Sequence, residues 1–150
     1  MAIQQNFGNP ARSDNMRAIR SFGNRTTELR LRAILIRHGV GGWKLHDKRI
    51  LGIPDFFFAK QRTAVFVDGC FWHACPRCGH IPKTNVQYWS QKLARVSRRD
   101  SFVNRQLRRS GYKVIRIREC SVRSNPADCV RRISRALEIG AGRLGGRTKA

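Results

Sequence analysis

Apolar and polar positions alternate along the chain in segments whose period changes from helical to strand-like and back. Thr26 or Thr27 offers a side-chain cap ahead of Glu28 to Ile36, where Leu31, Ile34 and Leu35 share one helical face and Gly39 closes the segment. Trp43 to His46 reads as a strand. Ile53 to Phe58 and Thr63 to Val67 are two apolar runs separated by the polar Lys60-Gln61-Arg62, a hairpin signal. From about Asn85 to Ser110 the period is helical again, with Trp89, Leu93, Val96, Phe102, Val103 and Leu107 forming a partly apolar face that Gly111 ends. Lys113 to Arg118 predicts another strand, and Asp128 to Ile139 a last amphipathic helix. Helix, three strands, long helix, strand, helix is the order of an α/β fold with a single core.

The two ends lie outside this pattern. Residues 1–24 are polar, with a short helical stretch near Ser13 to Arg20, and the Gly/Arg/Lys tail over 140–150 is expected to be disordered. The folded domain is therefore placed at 25–139. No internal repeat is visible.

Charge narrows the partner. The 150 residues carry 31 Lys and Arg against 9 Asp and Glu, a formal net charge of +22 spread along the whole chain. Such an excess calls for a polyanion, nucleic acid first, enclosed by the protein rather than tethered to one tail. No apolar run approaches the roughly 20 residues that span a bilayer, so no membrane role is expected. With no export signal either, the cytoplasm of a prokaryotic or phage setting, close to the nucleoid, is the expected location.

Cysteine spacing adds a metal. Cys75-Pro-Arg-Cys78-Gly79 has the form of a zinc knuckle, in which two thiols two residues apart face the same side of a tight turn. Cys70, upstream, and Cys120, after Val114-Ile115-Arg116-Ile117, are the best candidates to complete a four-thiolate site, with His73 and His80 competing and Cys129 left over. Reduced cysteines packed as small hydrophobes, or a disulfide framework, are the alternatives; the odd count argues against the second.

Asp55 is the only acid in a run otherwise apolar from Ile53 to Ala59, so it is costly there unless paired or holding a metal. The plain alternative for Asp55 is a strand-start turn residue after Pro54; Glu28, otherwise a solvated helix-start acid, and Asp68, at the end of the strand that leads into Cys70, are the further carboxylates that can converge on it. Two or three such groups hold Mg²⁺ against a phosphate and lower the pKa of an attacking water. His73 can then serve as general base or steady the phosphate, and phosphodiester hydrolysis is the chemistry that suits the set. Phe71, Trp72, Tyr88 and Trp89 are either core residues or flat side chains that wedge between base pairs, which makes an enzyme sensitive to weakly paired steps.

Several short motifs recur in register with one family. Asn15-Met16-Arg17-Ala18-Ile19-Arg20, Thr27-Glu28, Leu51-Gly52-Ile53-Pro54-Asp55-Phe56, Val65-Phe66-Val67-Asp68-Gly69-Cys70-Phe71-Trp72-His73, Pro82-Lys83-Thr84-Asn85 with Tyr88-Trp89, and Arg118-Glu119-Cys120 resemble the very-short-patch repair (Vsr-type) DNA mismatch endonucleases over about Ser13 to Cys120. The resemblance implies the restriction-endonuclease-like fold, a central mixed sheet flanked by helices, with structural Zn²⁺ on Cys70, Cys75, Cys78 and Cys120. It implies Mg²⁺-dependent nicking of one strand of double-stranded DNA 5′ to the T of a T·G mismatch, the lesion left by deaminated 5-methylcytosine. By the same resemblance, Asp55 binds the catalytic metal with the backbone carbonyl of Val67. His73 acts at the water or scissile phosphate, and Glu28 holds metal-bound water. Phe71, Trp72 and Trp89 enter at the mismatch from the major groove and Met16, in an N-terminal DNA-binding arm, from the minor groove. A monomer is expected, with a mismatch-repair protein as a candidate partner.

Two positions depart from the founding members of that family. Asp68 stands where they carry His, and Cys75 where some relatives place a zinc-binding His. Glu28, Asp55, Asp68 and His73 also suit the Glu, Asp, His, Asp set of homing endonucleases with this catalytic fold. A homing or restriction-like enzyme cutting a matched site is therefore the alternative, and a zinc-stabilised DNA-binding protein without activity a third reading.

Overall fold

The computed structural model describes residues 26–138. A first helix, α1, spans 26–37 and buries Leu31 and Leu35 completely. It ends at Gly39, where the Val40 N–H returns to the Leu35 carbonyl at 2.9 Å. The strands β1 (Lys44–Leu45), β2 (Phe56–Phe58) and β3 (Thr63–Asp68) follow. Then come α2 (Val86–Arg109), β4 (Lys113–Arg118), α3 (Glu119–Ser124) and α4 (Pro126–Ala136).

The sheet is mixed, in the order β1-β2-β3-β4. β1 and β2, then β2 and β3, pair antiparallel, and β3 and β4 pair parallel, with Phe66 opposite Arg116 and Asp68 opposite Arg118. A parallel pair needs a crossover, which α2 supplies. All six residues of β3 are buried. Phe56, Phe58, Val65, Val67 and Ile117 pack with Leu31 and Leu35 of α1 and Cys129, Val130 and Ile133 of α4. On the opposite face Phe57, Ala64 and Phe66 pack with Val103 and Leu107 of α2. Alternation along β3 therefore sends Asp68 to the α2 face, one residue after Val67 has faced the other way.

Several boundaries shift from the pattern-based expectation. The two early strands are shorter, leaving Asp55 just ahead of β2 rather than inside it. α3 is an element the pattern did not reveal; at six residues it is too short to establish a helical period. α4 starts at Pro126, with Asn125 accepting the Asp128 N–H at 3.2 Å, because Pro suits the first helical position and Asn the cap. Phe102 is 49 % exposed instead of lying on the buried face of α2. It is one residue, about 100° of helix rotation, away from Val103, which takes the core position. The short helix expected near Ser13 to Arg20, Met16, and the tail over 140–150 lie outside the described residues.

Candidate active site and metal centre

Asp55 is delivered by a constrained loop. Gly52 has φ +81°, and a Cβ there would stand 2.6 Å from Cγ1 of Val103, so only glycine lets this loop lie on α2. Ile53 follows with φ 51°, uncommon for a β-branched residue, and Pro54 sets the approach to β2. The Asp55 carboxylate accepts the Val67 N–H at 2.6 Å. Burial pushes its pKa up to about 6, against that hydrogen bond and with the nearby Glu28 charge adding to the rise.

Glu28, His46 and Asp55 offer ligand atoms within 4.8 Å of one another, with His46 Nε2 2.9 Å from Glu28 Oε1. Two carboxylates, the Glu28 charge adding to the rise at Asp55, joined by an imidazole and beside the Val67 backbone, form a donor set suited to a hard divalent cation that keeps waters of its own. His46 had been read only as the end of a strand. Its place against Glu28 depends on how α1 lies beside β1, which no local pattern carries.

A second cluster faces the same cleft from the α2 side. Asp68, His73 and Asp100 lie within 4.8 Å of one another. His73 Nδ1 is 2.5 Å from Asp100 Oδ2, and His73 Nε2 is 3.7 Å from Asp68 Oδ1. Arg116 reaches Asp68 at 2.8 Å and Asp100 at 3.2 Å. Burial raises the pKa of Asp68 despite the His73 and Arg116 charges. At Asp100 burial also acts upward, but the His73 hydrogen bond and the His73 and Arg116 charges outweigh it and hold the carboxyl low. Asp55, Asp68, His73, Asp100 and Arg116 together line a cleft of about 220 Å³, with Trp72 at its wall. Neither Asp100 nor Arg116 had been singled out from the sequence. Each carried a signal: Asp100 is the only acid in an arginine-rich helix, and Arg116 interrupts an apolar strand.

The cysteines converge as their spacing suggested. Cys70, Cys75, Cys78 and Cys120 present sulfurs within 4.8 Å of one another, and Cys129 is buried in the core apart from them. Cys75 and Cys120 sulfurs are 3.7 Å apart. That matches the edge of about 3.8 Å of a tetrahedron of thiolates bound at ~2.3 Å, and is far beyond a disulfide bond. Burial would raise the Cys75 thiol, yet the Arg77 and Cys78 backbone N–H groups pull it down to about 6, so it is readily a thiolate, whereas burial pushes Cys70 up. A Cβ at Gly79 would meet the Cys75 carbonyl oxygen at 2.6 Å, which reserves this knuckle position for glycine. Glu119 accepts the Cys70 N–H at 3.4 Å and pairs with Arg123, tying the loop to α3. These residues fit a tetrahedral metal ion, and His73 and His80 are not in the cluster.

The rings gather beside that loop. Phe71 lies 5.0 Å from Trp72 and 5.4 Å from Trp89, and Trp89 lies 5.2 Å from the exposed Tyr88. Lys92 Nζ stands 5.4 Å from the Trp72 ring centroid. None of Phe71, Trp72 and Trp89 is fully buried, so they form a half-exposed aromatic block rather than part of either core cluster.

Comparison with known proteins agrees with this architecture. The profile of the family described as DNA mismatch endonuclease Vsr matches residues 5–78. The chain is 40 % identical to the type II nicking enzyme V.NaeI of Lentzea aerocolonigenes over 118 residues, 74 % of this chain and 69 % of that one. It is 36 % identical to the type II nicking enzyme V.XorIIP of Xanthomonas oryzae pv. oryzae, over 71 % of this chain and 78 % of the relative. It is 32 % identical to the DNA mismatch endonuclease Vsr of Escherichia coli K12, over 75 % and 71 % respectively. The chain belongs to the Vsr family of DNA mismatch endonucleases, which have the restriction-endonuclease-like fold.

Proposed function

We propose that this endonuclease nicks one strand of double-stranded DNA 5′ to the T of a T·G mismatch, by Mg²⁺-dependent hydrolysis of one phosphodiester bond. The observation that carries the reading is the shared cleft, in which the Asp55 carboxylate and the His73–Asp100 pair face one space with an aromatic block at its edge. The mismatch endonuclease and the nicking enzymes among its relatives support a single-strand cut.

Asp55 would hold the magnesium ion with the Val67 carbonyl, and Glu28, with His46 beside it, would orient water in its shell. Bound there, the ion would lower the pKa of water and offset phosphate charge. The Val67 N–H fixes the rotamer of Asp55, so the carboxylate needs little reorganisation on binding. Asp100 on Nδ1 orients the His73 ring and leaves Nε2 to take up or return a proton at the attacking water or the phosphate. Zn²⁺ on the four thiols stiffens the loop that carries Phe71, Trp72 and His73, so wedge and general base are set by one structural element. Trp72, Phe71 and Trp89 would enter the duplex where a mismatch makes unstacking cheap, with Met16 opposite them.

The test uses end-labelled duplexes identical except for a T·G or T·A pair in a CC(A/T)GG-like context. A nick confined to one strand of the T·G duplex, dependent on added Mg²⁺ and abolished by Asp55→Ala while DNA binding persists, is the expected result. Equal cutting of both duplexes, or cutting by the Asp55→Ala protein at the wild-type rate, would overturn it.

A further inference from the structure

Arg116 occupies mid-strand β4 on the face covered by α2, directly opposite Phe66 in the parallel register. Its guanidinium carbon lies 4.5 Å from the Phe66 ring centroid, and its side chain is only 19 % exposed. Every edge of the fork is used: Nη1 reaches Asp68 Oδ1 at 2.8 Å, Nη2 reaches Asp100 Oδ1 at 3.2 Å, and Nε donates to Asn104 Oδ1 at 2.9 Å. The two carboxylates it joins are those that flank His73, Asp100 at Nδ1 and Asp68 toward Nε2.

We propose that Arg116 is a positioning residue for His73, its guanidinium tying Asp68 to Asp100 so that both carboxylates and the imidazole between them hold one orientation toward the cleft. Two carboxylates on either side of one ring repel each other, and a single planar fork with two outward faces is the group that can neutralise and space them at once. Each of its three nitrogens already has a partner in the fold. Asp68 is committed in the same way. Its Oδ1 holds Arg116, and strand alternation puts it on the α2 face, where it groups with His73 and Asp100 while sharing the cleft with Asp55. Asp68 therefore acts on His73 both directly, at 3.7 Å from Nε2, and through Arg116. This assignment rests on the nuclease reading for its consequence in catalysis, but the geometry it claims exists in the uncomplexed protein.

The experiment compares wild type with Arg116→Met, Arg116→Lys, Asp68→Asn and the double variant Asp68→Asn/Arg116→Met. Single-turnover nicking should slow by about 10- to 100-fold in Arg116→Met, the scale of a displaced catalytic group, with DNA affinity close to wild type and a lowered thermal midpoint, because Asp68 and Asp100 lose their counter-charge. Arg116→Lys keeps the charge but cannot span both carboxylates, so it should share most of that loss; it also serves if the Met variant fails to fold. The double variant should be no slower than the worse single one, since both remove one linkage. In parallel, the downfield Nδ1 proton of His73 is followed by NMR in the protein without DNA or added Mg²⁺. It should shift or broaden in Arg116→Met and Arg116→Lys while the amide spectrum stays native. Wild-type nicking rates with an unmoved imidazole proton in either variant would overturn the proposal. So would a loss confined to DNA affinity with a salt slope lower by about 1, the mark of a phosphate contact. Should the wild type cut neither duplex, the T·G reading fails while the NMR comparison still decides the role of Arg116.

Discussion

Asp55 shows most directly how a residue proposed to bind the catalytic metal costs the fold something. Its folded pKa of about 6 lies above the ordinary carboxylate value near 3.8, so the folded state favours the protonated form. As pH rises from about 4 to about 6 the unfolded chain gives up this proton while the folded one retains it, and stability falls. Above about 6 the penalty is complete, on the order of 3 kcal/mol for a shift of this size. Asp55→Asn can still accept the Val67 N–H and carries no charge. Without added Mg²⁺ it should melt at a higher temperature than wild type at pH 7, with the gap narrowing toward pH 5. Mg²⁺ should raise the midpoint of wild type only, and scanning calorimetry with and without the ion checks both. Equal midpoints at pH 7 would mean that the carboxylate is already compensated. Asp55 was legible as a lone acid in an apolar run, and His73 as part of a dense motif. His46, Asp100 and Arg116 were not picked out, because their neighbours in space come from α1, α2 and β4, far away in sequence.

Among the elements, the loop from Cys70 to Gly79 has the least core of its own. It is held by four sulfurs, by Glu119 of α3 and by the rings packed on the start of α2. Cys78→Ser, or removal of the metal by a strong chelator, should unfold this loop and lower the thermal midpoint by well over 10 °C, because structural metal binding is folding free energy. Metal content by mass spectrometry of the native protein, read alongside circular dichroism, checks it; an unchanged midpoint in metal-free protein would rule out a structural role. Gly52 tests the other support of the site. Gly52→Ala places a Cβ against Val103 in a backbone region unfavourable to side chains, and should cost about 1 to 3 kcal/mol while displacing Asp55. Loss of stability without loss of activity would show that the loop does not set the carboxylate. The helices and strands themselves followed the apolar periodicity closely, whereas α3 and the short ends of β1 and β2 did not, since a few residues carry no measurable period.

For the molecule as a whole, charge sets how DNA is met. A net charge of +22 on 150 residues implies many phosphate contacts. With about 6 to 10 of them, affinity should fall by roughly 10³ to 10⁵ between 50 and 200 mM salt, measurable by fluorescence anisotropy on matched and mismatched duplexes. On the proposed reading, in which an uncharged aromatic block supplies the discrimination, the salt slope should be the same for both duplexes; a steeper slope on T·G DNA would assign the discrimination to basic residues instead. Among the described residues no helix is long and apolar enough to cross a membrane. Composition, periodicity and cysteine spacing were enough to point to an α/β chain, a polyanionic partner and a cysteine cluster able to hold a metal, because each rests on local order or on sums over the chain. Which carboxylates share a cleft, that Arg116 joins two of them across His73, and that Asp68 groups with His73 and Asp100 were decided by strand parity, the register of β3 on β4 and the packing of α2. Those are relations between distant segments, and they take a value only once the chain has folded.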